Sequence, residues 1–310
     1  MIKHSFPIGT REHYLDSGAH SLLNKYVLSR KVQDYSFYKT PEFWQYVDEY
    51  AAFIKKYQNG IDYYATVDVI YDPELTWDVQ RYMQEQHGLW PMPVIHYGCD
   101  LKWLDRYMEI GHDYIGIGGL GQTVVVQRFP LWGDRVFKHI CPASNDCKPL
   151  IRTHGFAIGT STLILRYPWR SIDAATWVKM AYYGQIFIPR KSKGDFDLSI
   201  PCNRWFVTDD SPYKGVNKPS YRSKGKHKHY LQMRENGRKD LDDWLQLIGV
   251  PFGKTQDGEV LEPGISNDVI MRQRANVEYL ERLSESLPKW PWAFTVSQTR
   301  PGLLEAFGKR

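Results

Sequence analysis

The sequence predicts an α/β protein: a compact (β/α)8 TIM-like barrel over residues 1–190, followed by a basic, helical extension over 191–310 that packs on it. Three observations carry that expectation. Short β-rich runs alternate with amphipathic helical stretches as far as about residue 190, the pattern of a parallel sheet wrapped by helices. Several of those runs end in an acid or in glycines, and strand C-termini are where parallel α/β folds bind ligands. After Pro189 the alternation stops and a lysine- and arginine-rich stretch takes over.

In chain order, Glu12–Leu15 reads as a short strand running into Asp16-Ser17-Gly18-Ala19-His20. Thr40-Pro41-Glu42 is an N-cap followed by Pro at the first helical position. The helix it starts carries Phe43, Val47, Tyr50 and Ile54 on one face and stops before Gly60. Tyr63–Ile70 is β-rich and contains Asp68, and Asp72-Pro73 starts a helix that lasts to about His87. Pro93–Gly98 is a buried strand followed by a helix from Leu101 to Ile110, and Asp113–Leu120 is a strand ending in the pair Gly118-Gly119. Gly184–Ile188 reads as the last strand, giving seven or eight in all. Beyond it, helices are expected over Asp240–Ile248 and Asn267–Leu287, and the Trp/Pro-rich tail from Pro288 as a loop on the body.

The stretch from Thr153 to Trp177 compresses strand, short helix and second strand into one βαβ step, and delivers Asp173 at the end of the second strand. Taken alone, Asp173 is as well explained as the N-cap of a helix over 174–183. Asp16 and Asp68 change that balance. In a closed barrel all three acids converge on one mouth, together with Gly18, Gly98, Gly118, Gly119 and Gly159, whose bare backbone admits a flat ligand.

Composition limits the classes of function. With 42% hydrophobic and 24% charged residues and no apolar run near the ~20 residues of a membrane helix, the chain reads as globular and cytoplasmic, its N-terminus lacking an apolar signal core. Four cysteines in 310 residues do not make a disulfide framework. The net charge of +5 is modest, so its clustering matters more than its total.

Leu15–His20 resembles the D-S-G-G-[YF] segment of the tRNA-guanine transglycosylases, Gly118-Gly119-Leu120-Gly121 is similar to their G-G-L-A-V-G loop, and Val94–Gly98 stands where they have a Q-G-G turn. The Thr153–Trp177 stretch looks closer still to the compact DpdA-type transglycosylases of phages and mobile elements, which replace guanine in DNA by a 7-deazaguanine and protect phage DNA from restriction. The resemblance covers about residues 10–190. It implies that Asp173 is the nucleophile and Asp16 the general acid and base. It places Asp68 and the Gly118-Gly119 backbone on the polar edge of the purine, with Ser17, Gly18 and His96 around the base and His20 and Tyr97 against its faces. Those roles suit the chemistry. Base exchange with retention needs two inversions at the anomeric carbon, hence a carboxylate that forms a covalent intermediate, and a second acid to protonate the departing base.

Two departures stand out. Ala19 and His20 replace the second glycine and the aromatic of the D-S-G-G-[YF] pattern, and the C-x-C-x-x-C zinc motif of the tRNA enzymes is missing. A structural zinc would have to use Cys141, Cys147 and Cys202 with a histidine, residues better explained as buried or incidental cysteines, and the exchange itself needs no cofactor. The missing motif favours DNA over tRNA as the substrate. Lys214, Lys218, Arg222, Lys224, Lys226, Lys228, Arg234 and Arg238, interleaved with tyrosines, have the density of charge that tracks a phosphate backbone, and equally that of a solvated loop. Three other readings stand beside exchange on DNA: the same exchange on tRNA, a catalytically silent nucleic-acid-binding barrel, and a metal-dependent hydrolase using His96, Asp68 and Asp173. The last is weakened by the lack of an early H-x-H pair.

Overall fold

The computed structural model describes residues 2–4 (backbone only), 12–28, 35–119, 128–211 and 229–295. The chain is a mixed α/β protein that divides into two compact units. One comprises Met1–Ile158, Arg166–Asp173 and Lys289–Arg310; the other comprises Gly159–Leu165 and Ala174–Pro288. The chain passes between the units four times, after Ile158, Leu165, Asp173 and Pro288. No helix among the described residues is long and apolar enough to cross a membrane.

In the first unit, β1 (Ile2–His4) pairs antiparallel with β2 (His13–Leu15), and β2 pairs parallel with β3 (Tyr63–Tyr64). A second sheet holds β4 (Val94–His96), β5 (Tyr114–Gly118), β6 (Arg152–Gly155) and β7 (Ser171–Ile172) in that order, all parallel. Backbone bonds from Thr66 N to Met92 O (3.0 Å) and from Met92 N to Tyr64 O (2.8 Å) link the two sheets through a parallel bridge at Ala65 and Met92. Side chains of β2 meet those of β5 and β6, although β2 is not paired with either strand. The Tyr14 ring stacks on His154 at 5.0 Å and meets Tyr114 edge-on at 6.0 Å. Arg170, just before β7, donates to Glu12, just before β2, at 2.6 Å.

The helices α1 (Ala19–Leu22), α2 (Pro41–Tyr57), α3 (Pro73–His87), α4 (Lys102–Glu109) and α5 (Phe129–Ile140) fall between these strands in sequence. Their starts follow from local chemistry. The Thr40 hydroxyl accepts from Phe43 N and the Asp72 carboxylate from Leu75 N, each ahead of a proline at N1, where no N–H is missed. The apolar face of α2 (Phe43, Val47, Tyr50, Ile54) packs with Val79 and Met83 of α3 and with Val67 and Val69. All of β5 is buried, as expected of a parallel strand covered on both faces.

β3 ends at Tyr64, short of the run expected to Ile70. Pairing continues only through the bridge at Ala65; beyond it Val69 N bonds to the Thr76 hydroxyl of α3, and Asp68 stands in the loop. Residues 289–295 return to the first unit, where Trp290 Nε1 donates to Pro168 O at 3.1 Å and the Phe294 ring lies against Tyr167 and Phe137.

His112 ties α3 to the strand connections. It is buried under the Trp90 ring at 4.6 Å, and its Nε2 accepts from the side-chain amides of Gln80 and Gln84 at 3.2 Å each. Burial pushes the imidazole from its ordinary 6.5 down to about 4. The native state therefore binds the proton less readily than the unfolded state. The contribution is complete above pH 6.5 and is lost as the pH falls to about 4. We expect it to reach about 2 kcal/mol after allowance for solvent screening. The measurement is urea unfolding of the wild type and His112→Gln at pH 7.5 and 4.5: the gap between the two proteins should narrow at the lower pH, and a constant gap would contradict the assignment.

The second unit holds α6 (Ser161–Ile164) and α7 (Thr176–Tyr182), followed by β8 (Gln185–Ile188), the hairpin β9 (Arg190–Ser192) and β10 (Asp195–Asp197), and β11 (Asn203–Phe206). After these come α8 (Glu235–Ile248), the hairpin β12 (Lys254–Gln256) and β13 (Glu259–Glu262), and α9 (Val269–Ser286). β8, expected as the last parallel strand, pairs antiparallel with β11. The reason is visible in Asn276 of α9, which is fully buried. Its side chain accepts from Phe187 N at 2.8 Å and donates to Trp177 O and Gln185 O at 3.0 and 3.3 Å, binding β8 to α7 and α9 within this unit.

Candidate active site

Asp16 follows β2 directly, and its Oδ1 accepts from Gly18 N at 2.9 Å. Gly18 has φ 78°, and a Cβ there would lie 2.6 Å from the Tyr46 hydroxyl. That hydroxyl donates to Ser17 O at 2.6 Å, so the turn that presents Asp16 requires glycine on both counts. The Tyr50 hydroxyl donates to Ala65 O at 2.9 Å and to Leu15 O at 3.3 Å, pinning β2 beside the start of the Asp68 loop. Burial, and after it the charge of Asp16, raises the pKa of Tyr50 well above its ordinary value, so the phenol stays a donor.

Asp173 follows β7. Its backbone N donates to Gly155 O at 3.0 Å, and its Oδ1 accepts from Ala157 N at 2.9 Å. Ala157 has φ 59°, a left-handed conformation uncommon for a residue with a Cβ, and it turns that N–H toward the carboxylate. His154 Nε2 lies 3.7 Å from the same oxygen. The following helix, α7, begins at Thr176, with Ala175 at its N-cap position.

Asp16 and Asp173 line a single cleft of about 290 Å³, counting the part open to solvent. Its walls are the rings of Tyr14, His154 and Phe156 with Leu15 and Met92. Asp68, Ser17 and His96 form an adjoining group. The Ser17 hydroxyl donates to Asp68 Oδ1 at 3.3 Å, His96 Nε2 meets Asp68 Oδ2 at 2.7 Å, and all three residues are buried. Gly118 and Gly119 back onto His96. Gly119 has φ 73°, and a Cβ there would sit 3.1 Å from both His96 Cβ and Tyr97 N.

Other expected residues lie elsewhere. The Tyr97 backbone N donates to Gly118 O at 3.0 Å, but its ring packs on Trp132 at 5.8 Å and does not line the cleft. His20 is exposed on α1 with its ring bonded to the Asn24 side chain at 3.1 Å. Lys214, Lys218, Arg222, Lys224, Lys226 and Lys228 lie outside the described residues, as do Leu120 and Gly121. Arg234 is the N-cap residue of α8, and Arg238 donates to Leu231 O at 3.1 Å, both in the second unit.

Five lining residues were not anticipated: Tyr14, Leu15, Met92, His154 and Phe156. A signal for three of them exists in the alternation of strands, which puts Tyr14 on the same face as Asp16 and His154 on the same face as Phe156. Gly116 makes room for Phe156, since a Cβ there would lie 2.5 Å from its ring.

Among the described residues no three His, Cys, Asp or Glu side chains group as a metal site requires. Cys141 and Cys147 belong to the first unit and Cys202 to the second, where it receives the Ser161 hydroxyl at 3.5 Å. Burial, with the neighbouring Cys147 second, raises the Cys141 thiol to about 12. Compared with family models, with curated proteins and with solved structures, the chain matches none.

Proposed function

We propose that the first unit is a (β/α) barrel that exchanges guanine in DNA for a 7-deazaguanine through a covalent aspartyl–deoxyribose intermediate. The observation that carries this reading is the pair of acids, Asp16 and Asp173, on one aromatic-walled cleft at the ends of parallel strands. The contact of Tyr14 with Tyr114 and His154 and the Arg170–Glu12 pair support closure of the strands into a barrel. In the first half-reaction a carboxylate oxygen of Asp173 attacks C1′. The bond from C1′ to N9 breaks, its electrons pass to guanine, and Asp16 in its acid form protonates the departing base. In the second, Asp16 takes the proton from the incoming base, whose nitrogen attacks C1′ and displaces Asp173. The group of Asp68, Ser17, His96, Gly118 and Gly119 supplies the polar surface for the purine edge. A base stacked within a duplex is out of reach of a carboxylate at C1′, so the target nucleotide leaves the helix, and the basic composition of residues 214–239 supports a phosphate-bearing substrate.

The test is mass spectrometry of nucleosides from the DNA and the tRNA of cells expressing the protein with a supply of 7-deazaguanine. The expected result is a deazaguanine deoxynucleoside in DNA that disappears with Asp173→Ala. Modification confined to tRNA would move the substrate to RNA, and modification of neither would overturn the reading.

A further inference from the structure

A file of buried hydroxyls runs through the first unit to the residue beside Asp173. The Tyr14 hydroxyl bonds the Tyr114 hydroxyl, the Tyr114 hydroxyl lies 2.6 Å from Ser171 Oγ, and Ser171 Oγ lies 2.5 Å from His154 Nδ1. The other nitrogen of that ring, Nε2, faces Asp173 Oδ1 at 3.7 Å. His154 is itself 2% exposed, held between the face of Tyr14 and the edge of Phe156. Nothing in the two half-reactions above uses this histidine or the hydroxyls behind it.

Each hydroxyl carries one proton, so the file has a direction. A neutral imidazole that turned its Nε2 lone pair toward a carboxylate would be repelled by it, whereas an Nε2–H is attracted. If Nε2 carries the proton, Nδ1 must accept. Ser171 then donates to Nδ1 and accepts from Tyr114, and Tyr114 accepts from Tyr14. Burial above all raises the Tyr14 phenol far above its ordinary range and the Tyr114 phenol to about 12, so both have a proton to give at neutral pH. Every member of the file is satisfied by one arrangement.

We propose that His154 is a positioning residue whose Nε2–H tautomer, fixed by the Tyr14–Tyr114–Ser171 file, stabilises the Asp173 carboxylate as it leaves the sugar. The inference rests on the proposed covalent mechanism. At 3.7 Å the contact is Coulombic; a closure of about 1 Å in the substrate complex makes it a hydrogen bond. Such a donor binds an anionic carboxylate more strongly than the uncharged ester of the intermediate. It therefore favours discharge of the covalent adduct over its accumulation, while His154 keeps its proton throughout.

Two readouts test this. Histidine-selective nitrogen-15 NMR of the full chain, with His154→Gln identifying the signal, reads the tautomer without any need for activity. The Nε2–H form is expected, and an Nδ1–H form would overturn the proposal. The second readout is the rate at which added base discharges the adduct formed on labelled DNA. His154→Phe should discharge about 10–100-fold more slowly than the wild type and hold a larger fraction as adduct, with substrate KM little changed. His154→Gln, which keeps an N–H at the Nε2 position, should recover most of that rate. Discharge by His154→Phe at the wild-type rate, or a His154→Gln no faster than His154→Phe, would reject the role. Should His154→Phe fail to fold, Ser171→Ala carries the same test, with discharge slowed severalfold expected and an unchanged rate contrary. If the wild type forms no adduct, the covalent mechanism fails, and the NMR still decides the tautomer.

Discussion

Asp173→Asn is expected to abolish the covalent adduct and to lower base exchange by about four orders of magnitude or more, the usual scale for loss of a nucleophile. The substitution is close to isosteric and leaves an amide oxygen to accept from Ala157 N, so the turn at φ 59° keeps its partner. Stability should change little, and a thermal melt on the same preparation separates loss of chemistry from loss of fold. Labelled DNA carrying a target guanine, incubated with a deazaguanine and run on a denaturing gel, gives the readout. A shifted band is expected with the wild type and none with Asp173→Asn. An undiminished band in the variant would remove Asp173 from the reaction. If Asp16 took over the attack, the band would persist at a different site in the chain, which peptide mapping would locate.

Asp16→Asn should behave differently, because the proposed role is proton transfer. Loss of a general acid and base costs about 10²–10⁴-fold. The amide oxygen still accepts from Gly18 N, so the turn built on Gly18 and Tyr46 persists. The discriminating substrate is DNA carrying 7-methylguanine, whose methylated ring departs without an added proton. Adduct formation by Asp16→Asn should be slow on ordinary guanine and near the wild-type rate on the methylated base, whereas Asp173→Asn should fail on both. An equal loss on the two substrates would assign Asp16 to binding or to the fold.

Caps and punctuation were readable locally. Thr40-Pro41 and Asp72-Pro73 start α2 and α3, and Gly88 and Gly249 end α3 and α8 in left-handed conformations. The strand ends that carry Asp16, Gly118 and Asp173 were readable too, because short apolar runs bounded by acids and glycines have few other solutions. The pairing of β8 was not. An apolar strand read alone does not state its partner, and Gln185–Ile188 becomes antiparallel because β11 and Asn276, 18 and 91 residues from Gln185, take up its backbone groups. His154 was missed for a related reason. It looked like one residue of a buried strand, and its meaning comes from Tyr14, Tyr114 and Ser171, brought to it from three other strands. His20 shows the opposite limit: a residue four positions from Asp16 turned with α1 to the exposed side.

By itself, the sequence determined the alternation of strands and helices, the strand ends at Asp16 and Asp173 and the basic character of residues 214–239, since each depends on residues within about ten positions of one another. The tertiary structure alone decided that Asp16 and Asp173, 157 positions apart, line one cleft, that Asp68 is held by Ser17 and His96, and that Asp173 is faced by a histidine with a hydroxyl file behind it. The physical reason is that parallel strands point their C-terminal ends the same way. Local sequence can place an acid at a strand end, but which strand ends become neighbours, and which buried polar groups must then satisfy one another, is settled only when the strands pack.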